Sequence, residues 1–329
     1  MIMSEVVSQR SSWNWSGNAT YSTFAALIAL LIFNFLFTPN FASLQTLNVN
    51  LTQVAPIVIV AIGMTLVIAT GGIDLSVGSL MAIAGALAPM IFLEKLFPIA
   101  NVYLAAALAI CLSVAAASLF GAFNGWLIGR FTIQPIVATL VLFIAGRGIA
   151  QVVTNGNLQA FKFPEFQLIG LGRVLGVPVQ VIIMLLAALV AAWALRNTVF
   201  GRQLLAIGGN ERAAALSGIP VKRVKVMVYA ISGALAGIAG LVVIAINSAS
   251  DANLVGLGME LDAIAAVAVG GTLLVGGQAS IMGTVLGALI IQLVRYTLLA
   301  NGVPDAAALV VKAGIIILAV WLQQRGRAR

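Results

Sequence analysis

Long runs of apolar residues, separated by short polar or glycine- and proline-containing breaks, dominate the sequence. Since about 20 apolar residues in a helix span the roughly 30 Å hydrocarbon core of a bilayer, such runs predict transmembrane helices. A membrane β-barrel would show alternating segments of about ten residues, whereas these runs are continuous. With 62% hydrophobic and 8% charged residues, the composition also differs from that of a water-soluble chain. The sequence therefore predicts an all-α, polytopic transmembrane helix bundle.

The apolar runs predict about ten spans, whose boundaries we place at the intervening breaks. The spans lie at 21–38, 51–70, 75–93, 103–128, 132–153, 178–196, 224–247, 260–277, 280–299 and 305–323. Because this number is even, both termini are predicted on the same side of the membrane. We expect residues 1–20 to form an N-terminal tail, residues 21–323 a single transmembrane domain, and residues 324–329 a basic tail.

The distribution of Lys and Arg predicts the orientation, because short cytoplasmic loops carry an excess of positive charge. With the N-terminus inside, the cytoplasmic side holds Arg10, Arg130, Arg196, Arg202, Arg212, Lys222, Arg223, Lys225, Arg325, Arg327 and Arg329. The opposite side holds only Lys95, Lys162 and Arg173. The sequence therefore predicts cytoplasmic termini and a cytoplasmic loop over residues 197–223. The first residues lack a signal-peptide pattern, so we expect them to remain as a tail.

Composition and motifs exclude several classes of function. The net charge of +8 does not indicate a nucleic-acid partner, because the basic residues lie between spans rather than on one face with aromatic residues. The sequence has no histidine and one cysteine, Cys111, so it offers no disulfide framework or cysteine-based metal site. It has no phosphate-binding G-x-x-x-x-G-K-[ST] loop. We expect no metal and no cofactor, and a partner would have to supply energy for uphill transport.

Glycines indicate close helix packing and a weak internal repeat. Pairs four residues apart, a spacing that lets helix backbones approach closely, occur at Gly121/Gly125, Gly233/Gly237 and Gly283/Gly287. In addition, Gly71-Gly72 precedes Gly78 much as Gly270-Gly271 precedes Gly277, at the ends of two spans predicted to run inward. This similarity fits either two related halves of one orientation or a coincidence in a glycine-rich chain.

Ionisable residues within the predicted spans are few, and they are candidates for function because a charge at mid-helix costs at least about 2.5–3.5 kcal/mol. Arg147, Asp262, Arg295 and Lys312 fall in the outer third of their spans. They could line an outward-facing vestibule, with Asp262 as a partner for Arg295 or Lys312. Alternatively, the long basic side chains could reach the outer headgroups. We take Arg147, Asp262 and Arg295 as candidates for a translocation path.

Asp74 lies in a glycine-containing break between the second and third spans. Its carboxylate could cap the third span by accepting from the backbone amide of Ser76 or Val77, or it could contact substrate or act in a gate. Neutral hydrogen-bonding candidates near span ends are Asn124, Gln134 and Asn247. These side chains suit a hydroxylated solute, but they equally suit hydrogen bonds between helices.

The predicted cytoplasmic loop contains a short helix signal. Asn210 can cap a helix over Glu211–Ser217. Gly218 suits the C-terminus of this helix, and Pro220 ends it. A helix of about two turns is too short to be stable alone in water, so it should rest on lipid headgroups or on another protein. Its candidate contact residues are Asn210, Glu211, Arg212, Ala213, Ala214, Leu216 and Gly218.

Three segments carry recognisable motifs, namely Ala61–Gly78 (AIGMTLVIATGGIDLSVG), Ala206–Gly218 (AIGGNERAAALSG) and Val269–Gly287 (VGGTLLVGGQASIMGTVLG). In these motifs the sequence resembles the membrane permease of ribose-type bacterial ABC sugar importers. The resemblance extends over nearly the whole chain, and the first motif is the most characteristic. Within this group the sequence is most similar to the branch that imports furanose sugars such as galactofuranose.

The resemblance implies a non-catalytic permease of the bacterial inner membrane that forms the path for a monosaccharide such as galactofuranose or ribose. It implies three partners: a cytoplasmic ABC ATPase, a periplasmic sugar-binding protein, and a second permease subunit, identical or related. The segment Ala206–Gly218 would then correspond to the helix that docks in a groove of the ATPase. Two alternatives remain: a branched-chain amino acid type permease with the same partners, and a secondary carrier or channel that works without them.

Overall fold

The computed structural model describes residues 15–96, 98–304, 306–315 and 317. The helices are α1 (Trp15–Phe37), α2 (Leu44–Ala69), α3 (Val77–Phe92), α4 (Val102–Phe131), α5 (Pro135–Val153), α6 (Pro164–Leu171), α7 (Val179–Asn197), α8 (Val199–Gly209), α9 (Glu211–Leu216), α10 (Val221–Asn247), α11 (Met259–Val269), α12 (Ile281–Ala300) and α13 (Ala306–Ile315). The strands are β1 (Gln159–Ala160), β2 (Arg173–Val174), β3 (Val177–Pro178) and β4 (Ala249–Ser250). The predicted all-α fold is confirmed. Arg10 and the tail predicted at 324–329 lie outside the described residues.

Seven helices in the described part of the chain are long and apolar enough to cross a bilayer: α1, α2, α4, α5, α7, α10 and α12. The shorter helices α3, α11 and α13 fall within the three remaining predicted spans. With 16 and 11 residues, α3 and α11 extend only about 24 and 16 Å. Every predicted span therefore contains helix, but α3 and α11 are too short to cross alone.

Helix α2 forms the centre of the bundle. Every residue from Val54 to Ala69 is buried, in keeping with a sequence that is apolar on all sides. Helices α7, α10, α11 and α12 pack around it. Its N-terminus is capped by Ser43, whose hydroxyl accepts from the backbone amide of Thr46. Most of α2 is thus enclosed by protein, whereas α1 packs chiefly on α12 and exposes most of its large apolar side chains.

Helices α4 and α10 make the most extensive helix–helix contact in the described structure. A Cβ atom at Gly121 of α4 would lie 2.3 Å from the carbonyl oxygen of Tyr229, and one at Gly233 of α10 would lie 2.4 Å from that of Ala117. Such distances leave no room for a side chain. The prediction that these glycines allow close backbone packing is confirmed.

The span predicted at 260–277 is wrong in its extent. Helix α11 begins at Met259 and ends at Val269, and the residues that follow form turns. Gly256 and Gly258 before it have φ values of +72° and +78°, so the chain reaches the helix through a non-helical segment. The apolar composition that suggested a full span is shared by the helix and by the turns after it. Hydropathy alone does not separate them.

The connection between α5 and α7 forms a small folded cap that the hydropathy pattern did not predict. Strand β1 pairs antiparallel with β4, and β2 pairs with β3. Phe92 at the end of α3 contacts the rings of Phe161, Phe163 and Phe166, with centroids 4.8–5.0 Å apart. This aromatic cluster attaches the cap to the bundle. The cap consists of two-residue strands and an eight-residue helix, which are too short to produce a long apolar run in the sequence.

The glycine similarity between the two halves has a structural counterpart. Gly71 follows α2 and Gly271 follows α11, and both have φ +81°. After each of them, the next backbone amide donates to the carbonyl five residues earlier at 3.2 Å. The two helices therefore end in the same turn. This local match supports the interpretation that the chain contains two related segments.

Candidate functional site

The end of α2, the end of α8 and the turns after α11 meet at one end of the bundle. Helix α9 also lies there, and we call it the α9 end. The backbone amide of Gly277 donates to the carbonyl oxygen of Ala69, the last residue of α2, at 3.0 Å. A Cβ atom at Gly208 of α8 would lie 1.9 Å from the same oxygen and 2.4 Å from the Gly277 nitrogen. The end of α2, the end of α8 and the turns after α11 are therefore in direct backbone contact.

Helix α8 connects α9 to this contact. Its residues Leu204 and Ile207 are fully buried, and the hydroxyl of Thr198 caps it by accepting from the amide of Gly201 at 3.2 Å. The sequence prediction placed only one helix in this loop and missed α8. The apolar residues of α8 are interrupted by glycines and Arg202, so the sequence alone suggests a loop rather than a packed helix.

Helix α9 has the predicted capped geometry. The Asn210 side chain accepts from the Ala213 amide at 3.0 Å, and Gly218 after the helix has φ +82°. Ala214 is buried, whereas Leu216 is 91% exposed. Arg212 and Ala213 are also exposed. The helix thus packs on the protein through Ala214. Its other side exposes Leu216 together with Arg212 and Ala213.

An ion pair fixes α9 to α10. Glu211 Oε1 lies 2.7 Å from Lys225 Nζ, and the Lys225 side chain is the less exposed of the two. Both residues line a cavity of about 230 Å³ at the α9 end. The other lining residues are Thr70, Gly71, Gly72, Ile128, Thr132, Ile133, Gln134, Pro135 and Tyr229. The cavity therefore lies between the short helix and the end of α2, and Gln134 and Glu211 both line it.

Asp74 lies in a buried cluster of polar side chains. Its Oδ1 accepts from the Ser76 amide at 3.0 Å and from the Ser76 hydroxyl at 2.6 Å, and its Oδ2 accepts from the Ser232 hydroxyl at 2.9 Å. Asn124 donates its side-chain amide to the Ser76 hydroxyl at 3.1 Å. The expected bond from the Ser76 amide is thus present. In addition, the carboxylate joins the α2–α3 break to α10, and through Ser76 to α4.

Arg147 of α5 contacts the non-helical segment before α11. Its Nη1 donates to the carbonyl oxygens of Ala252 and Val255. Its Nη2 is buried and has no hydrogen-bond partner among the described residues. Glu260, in the first turn of α11, is 7% exposed, and its Oε2 is likewise buried without a described partner. The sequence prediction did not select Glu260, although a carboxylate in an apolar stretch could have identified it.

Asp262 forms a second polar group, on the side of α11 that faces α12 and α13. Lys312 Nζ donates to Asp262 Oδ1, which is one of the two pairings expected from the sequence. Arg295 lies with both residues around a cavity of about 20 Å³. These three charged side chains are therefore brought together, but they do not join Asp74 or the cavity at the α9 end.

The predicted path residues consequently fall into separate groups. Asp74 and Asn124 share the buried cluster, Gln134 lies at the α9-end cavity, and Asn247 is exposed at the far end of α10. Sequence reasoning named the Ser76 amide but missed the hydroxyls of Ser76 and Ser232, because a serine hydroxyl in an apolar stretch carries no signal until its partner is known. The described residues contain no group of three His, Cys, Asp or Glu side chains that could hold a metal ion.

Comparisons with known proteins match nearly the whole chain. The family model for the permease component of branched-chain amino acid transport systems matches residues 47–320. The ribose import permease protein of Escherichia coli (strain K12) is 40% identical over 304 residues, which cover 91% of this chain and 92% of that protein. The galactofuranose transporter permease protein of the same strain is 43% identical over 278 residues, 84% of this chain and 79% of that protein. The fructose import permease protein of Bifidobacterium longum (strain NCC 2705) is 35% identical over 323 residues, 94% and 88% of the two chains. No solved structure matches the chain.

Proposed function

The chain belongs to the permease-component family of ABC importers, in its ribose-type sugar branch, and from this premise we propose that it forms the membrane path through which a partner ATPase drives import of a monosaccharide. It is a multi-pass protein of the bacterial inner membrane. The observation that carries the function is 40% identity to a ribose import permease over 91% of the chain. The chain itself is a transport subunit, and ATP hydrolysis belongs to the partner.

We propose that α9 is the docking site for the ATPase. The exposed Leu216 offers an apolar contact, and Arg212 beside it offers a charge for an acidic groove. Because Ala214 is buried and Glu211 is paired with Lys225, the helix is attached to the bundle on its other side. A displacement of α9 by the ATPase would therefore be transmitted to the helices that α9 contacts.

The backbone contacts around Gly208 support a route for that displacement. Helix α8 connects α9 to the end of α2 and to the turns after α11 at Gly277. In such close contacts a displacement of one segment moves its neighbours, because no flexible side chain lies between them. We propose that movement of α9 is transmitted in this way to α2, the central helix, and opens or closes the inner end of the path.

The path itself is proposed to run along α2. Gln134 at the α9-end cavity and the Asp74–Asn124 cluster offer hydrogen-bonding groups to a hydroxylated solute on the inner side, while Arg147 offers them closer to the midplane. The group formed by Asp262, Arg295 and Lys312 would lie near mid-depth rather than in the outer third expected from the sequence, because Asp262 precedes the end of α11 at Val269 by only seven residues, about 10 Å. Asn247 would lie at the outer mouth. A second permease copy, identical or related, would complete the pore, and lipid would cover the exposed faces of α1, α4, α5 and α7.

The proposed topology has ten segments with both termini in the cytoplasm. Helices α3, α11 and α13 would occupy the positions of full spans, although α3 and α11 are short. Residues 21–323 would form one transmembrane domain between tails at 1–20 and 324–329, and residues 197–223 would lie in the cytoplasm. The concentration of Lys and Arg on that side supports this orientation.

Reconstitution tests the proposed function against its alternatives. The permease, with the ATPase and binding protein encoded beside it, is placed in liposomes and offered radiolabelled D-ribose, D-fructose, L-arabinose or L-leucine. We expect accumulation of one sugar that requires both ATP and the binding protein. Accumulation of leucine would favour an amino acid permease. Uptake by the permease alone, without ATP, would instead identify a secondary carrier or channel and overturn the proposal.

A further inference from the structure

We propose that Arg147 and Glu260 together form a sugar-contacting point midway along the path, where the guanidinium donates to one hydroxyl of the sugar and the carboxylate accepts from another. This proposal rests on the proposed function and adds to it the place and chemistry of substrate contact. Three observations support it: the depth of the two residues, their unpartnered atoms, and the non-helical backbone beside them.

Both residues lie near the middle of the bundle. Glu260 precedes the end of α11 at Val269 by nine residues, which corresponds to about 13 Å from the α9 end. Arg147 follows the start of α5 at Pro135 by twelve residues, or about 18 Å. In the proposed topology, with a hydrocarbon core of roughly 30 Å, these distances place the two charges close to the midplane, deeper for Arg147 than the outer third expected from the sequence. Ionisable groups at this depth are costly and usually functional.

Each side chain keeps one buried terminal atom unused. Arg147 Nη2 and Glu260 Oε2 have no hydrogen-bond partner among the described residues. The two groups do interact electrostatically, yet the described structure contains no ion pair between them. A buried donor or acceptor left unpaired costs about 1–3 kcal/mol, and more when it is charged. A donor and an acceptor held apart in this way fit a ligand that can bridge them.

A purely structural role accounts for only part of this arrangement. Nη1 of Arg147 binds the carbonyls of Ala252 and Val255, which stabilises the non-helical segment before α11. That role leaves Nη2 and Glu260 unexplained. Asp262, two residues further along the same helix, shows the contrast, because its carboxylate is paired with Lys312. Of these two carboxylates of similar burial, 7% and 8% exposed, Asp262 therefore has a cationic partner, whereas Glu260 is held through backbone amides and keeps Oε2 without a described partner.

The backbone beside the two side chains also fits a ligand site. Gly256 carries φ +72°, and a Cβ atom added to Gly78 of α3 would lie 2.3 Å from its carbonyl oxygen and 2.5 Å from Glu260 Oε2. Non-helical backbone at membrane depth is found where it is buried in protein or lines a polar cavity. A short helix that starts inside the membrane is also the form in which transporters present substrate sites.

Hydroxyl groups match the two free atoms chemically. A sugar hydroxyl both donates and accepts, so neighbouring hydroxyls can accept from Nη2 and donate to Oε2 at the same time. The ligand needs no net charge, because the positive charge of Arg147 and the negative charge of Glu260 sum to zero. An amino acid could bridge the same two groups through its ammonium and carboxylate, so the choice of a sugar here rests on the proposed function and on the sugar permeases that the chain resembles.

The test uses the complete transporter in liposomes, with the sugar among D-ribose, D-fructose and L-arabinose that the unaltered complex accumulates. Glu260→Gln and Arg147→Gln are each measured for sugar accumulated per ATP hydrolysed, together with the thermal unfolding midpoint of the purified permease. We expect each variant to lower that ratio about tenfold or more, with binding-protein-stimulated ATP hydrolysis retained. Glu165→Gln, which removes a carboxylate from α6, is the control and should keep the ratio.

The outcomes separate the two proposals. An unchanged ratio in Glu260→Gln would overturn the sugar contact and leave the importer function intact. A parallel loss of transport, ATP hydrolysis and thermal stability in both variants would overturn it as well, because it indicates a structural role. If the unaltered complex accumulates L-leucine, or takes up its substrate without ATP, the proposed function fails, and the sugar contact fails with it.

Discussion

At the scale of single residues, the Glu211–Lys225 pair joins the proposed docking helix to the bundle. Only the structure connects them, because they are 14 positions apart and the pair bridges α9 and α10. Glu211 was selected from the sequence as part of a capped helix, whereas Lys225 entered only as one of several positive charges. Lys225, which the sequence analysis used only to predict topology, therefore forms a specific ion pair that mutation can test.

Charge reversal tests this pair. We expect Glu211→Lys to lower binding-protein-stimulated ATP hydrolysis about threefold, which corresponds to the roughly 0.7 kcal/mol that a partly exposed ion pair contributes. Membrane insertion, measured by the yield of purified protein, should stay unchanged. The double exchange Glu211→Lys/Lys225→Glu restores opposite charges and should recover much of the coupling. A double variant no better than Glu211→Lys alone would contradict a role for the pair.

Two adjacent glycines in α8 provide a matched test of the close backbone contact. A Cβ atom at Gly208 would lie 1.9 Å from the carbonyl oxygen of Ala69, whereas one at Gly209 would meet no atom within 4 Å. We therefore expect Gly208→Ala to destabilise the permease by about 1–3 kcal/mol and to reduce coupling. Gly209→Ala should be neutral or slightly stabilising, since alanine favours a helix. Thermal unfolding in detergent and stimulated ATP hydrolysis measure both. Equal behaviour of the two variants would show that the contact is not tight.

At the scale of elements, α9 was predicted from the sequence almost to the residue, and α8 was missed. The difference has a physical cause. A capped helix carries its signal locally, in Asn210 and Gly218, since both act on backbone groups within one turn. Helix α8 depends on burying Leu204 and Ile207 against the bundle, and that partner surface is distant in sequence.

Cysteine crosslinking tests the orientation of α9. In a chain with Cys111→Ser, which removes the single cysteine, we expect Ala213→Cys to crosslink to a co-expressed ATPase that carries a cysteine in its docking groove. Ala213 is exposed, while its neighbour Ala214 is 5% exposed and faces the protein. Ala214→Cys should therefore crosslink weakly. Stronger crosslinking from position 214 would mean that the opposite side of α9 meets the partner.

At the scale of the whole molecule, the proposed topology places α9 and the cap between α5 and α7 on opposite sides of the membrane. Two leucines report on the two sides, because Leu216 is 91% and Leu175 100% exposed. In the Cys111→Ser chain, a membrane-impermeant maleimide added to intact spheroplasts should label Leu175→Cys and not Leu216→Cys. Opening the spheroplasts should make both react. Labelling of position 216 from outside would reverse the orientation.

The amino-acid sequence by itself determined the fold class, the approximate positions of the helices and the family. Hydropathy, helix capping and motif spacing are local properties, and each can be read from neighbouring residues. The proposed orientation likewise comes from summed charge, which needs no tertiary contacts.

Only the tertiary structure decided how the polar residues are grouped and where α11 begins and ends. It joined Asp74 to Ser232, paired Asp262 with Lys312, and left single atoms of Arg147 and Glu260 without described partners. These relations depend on packing between helices far apart in the chain. A buried charge is satisfied or left unsatisfied by whichever groups the fold brings to it, and hydropathy does not carry that information.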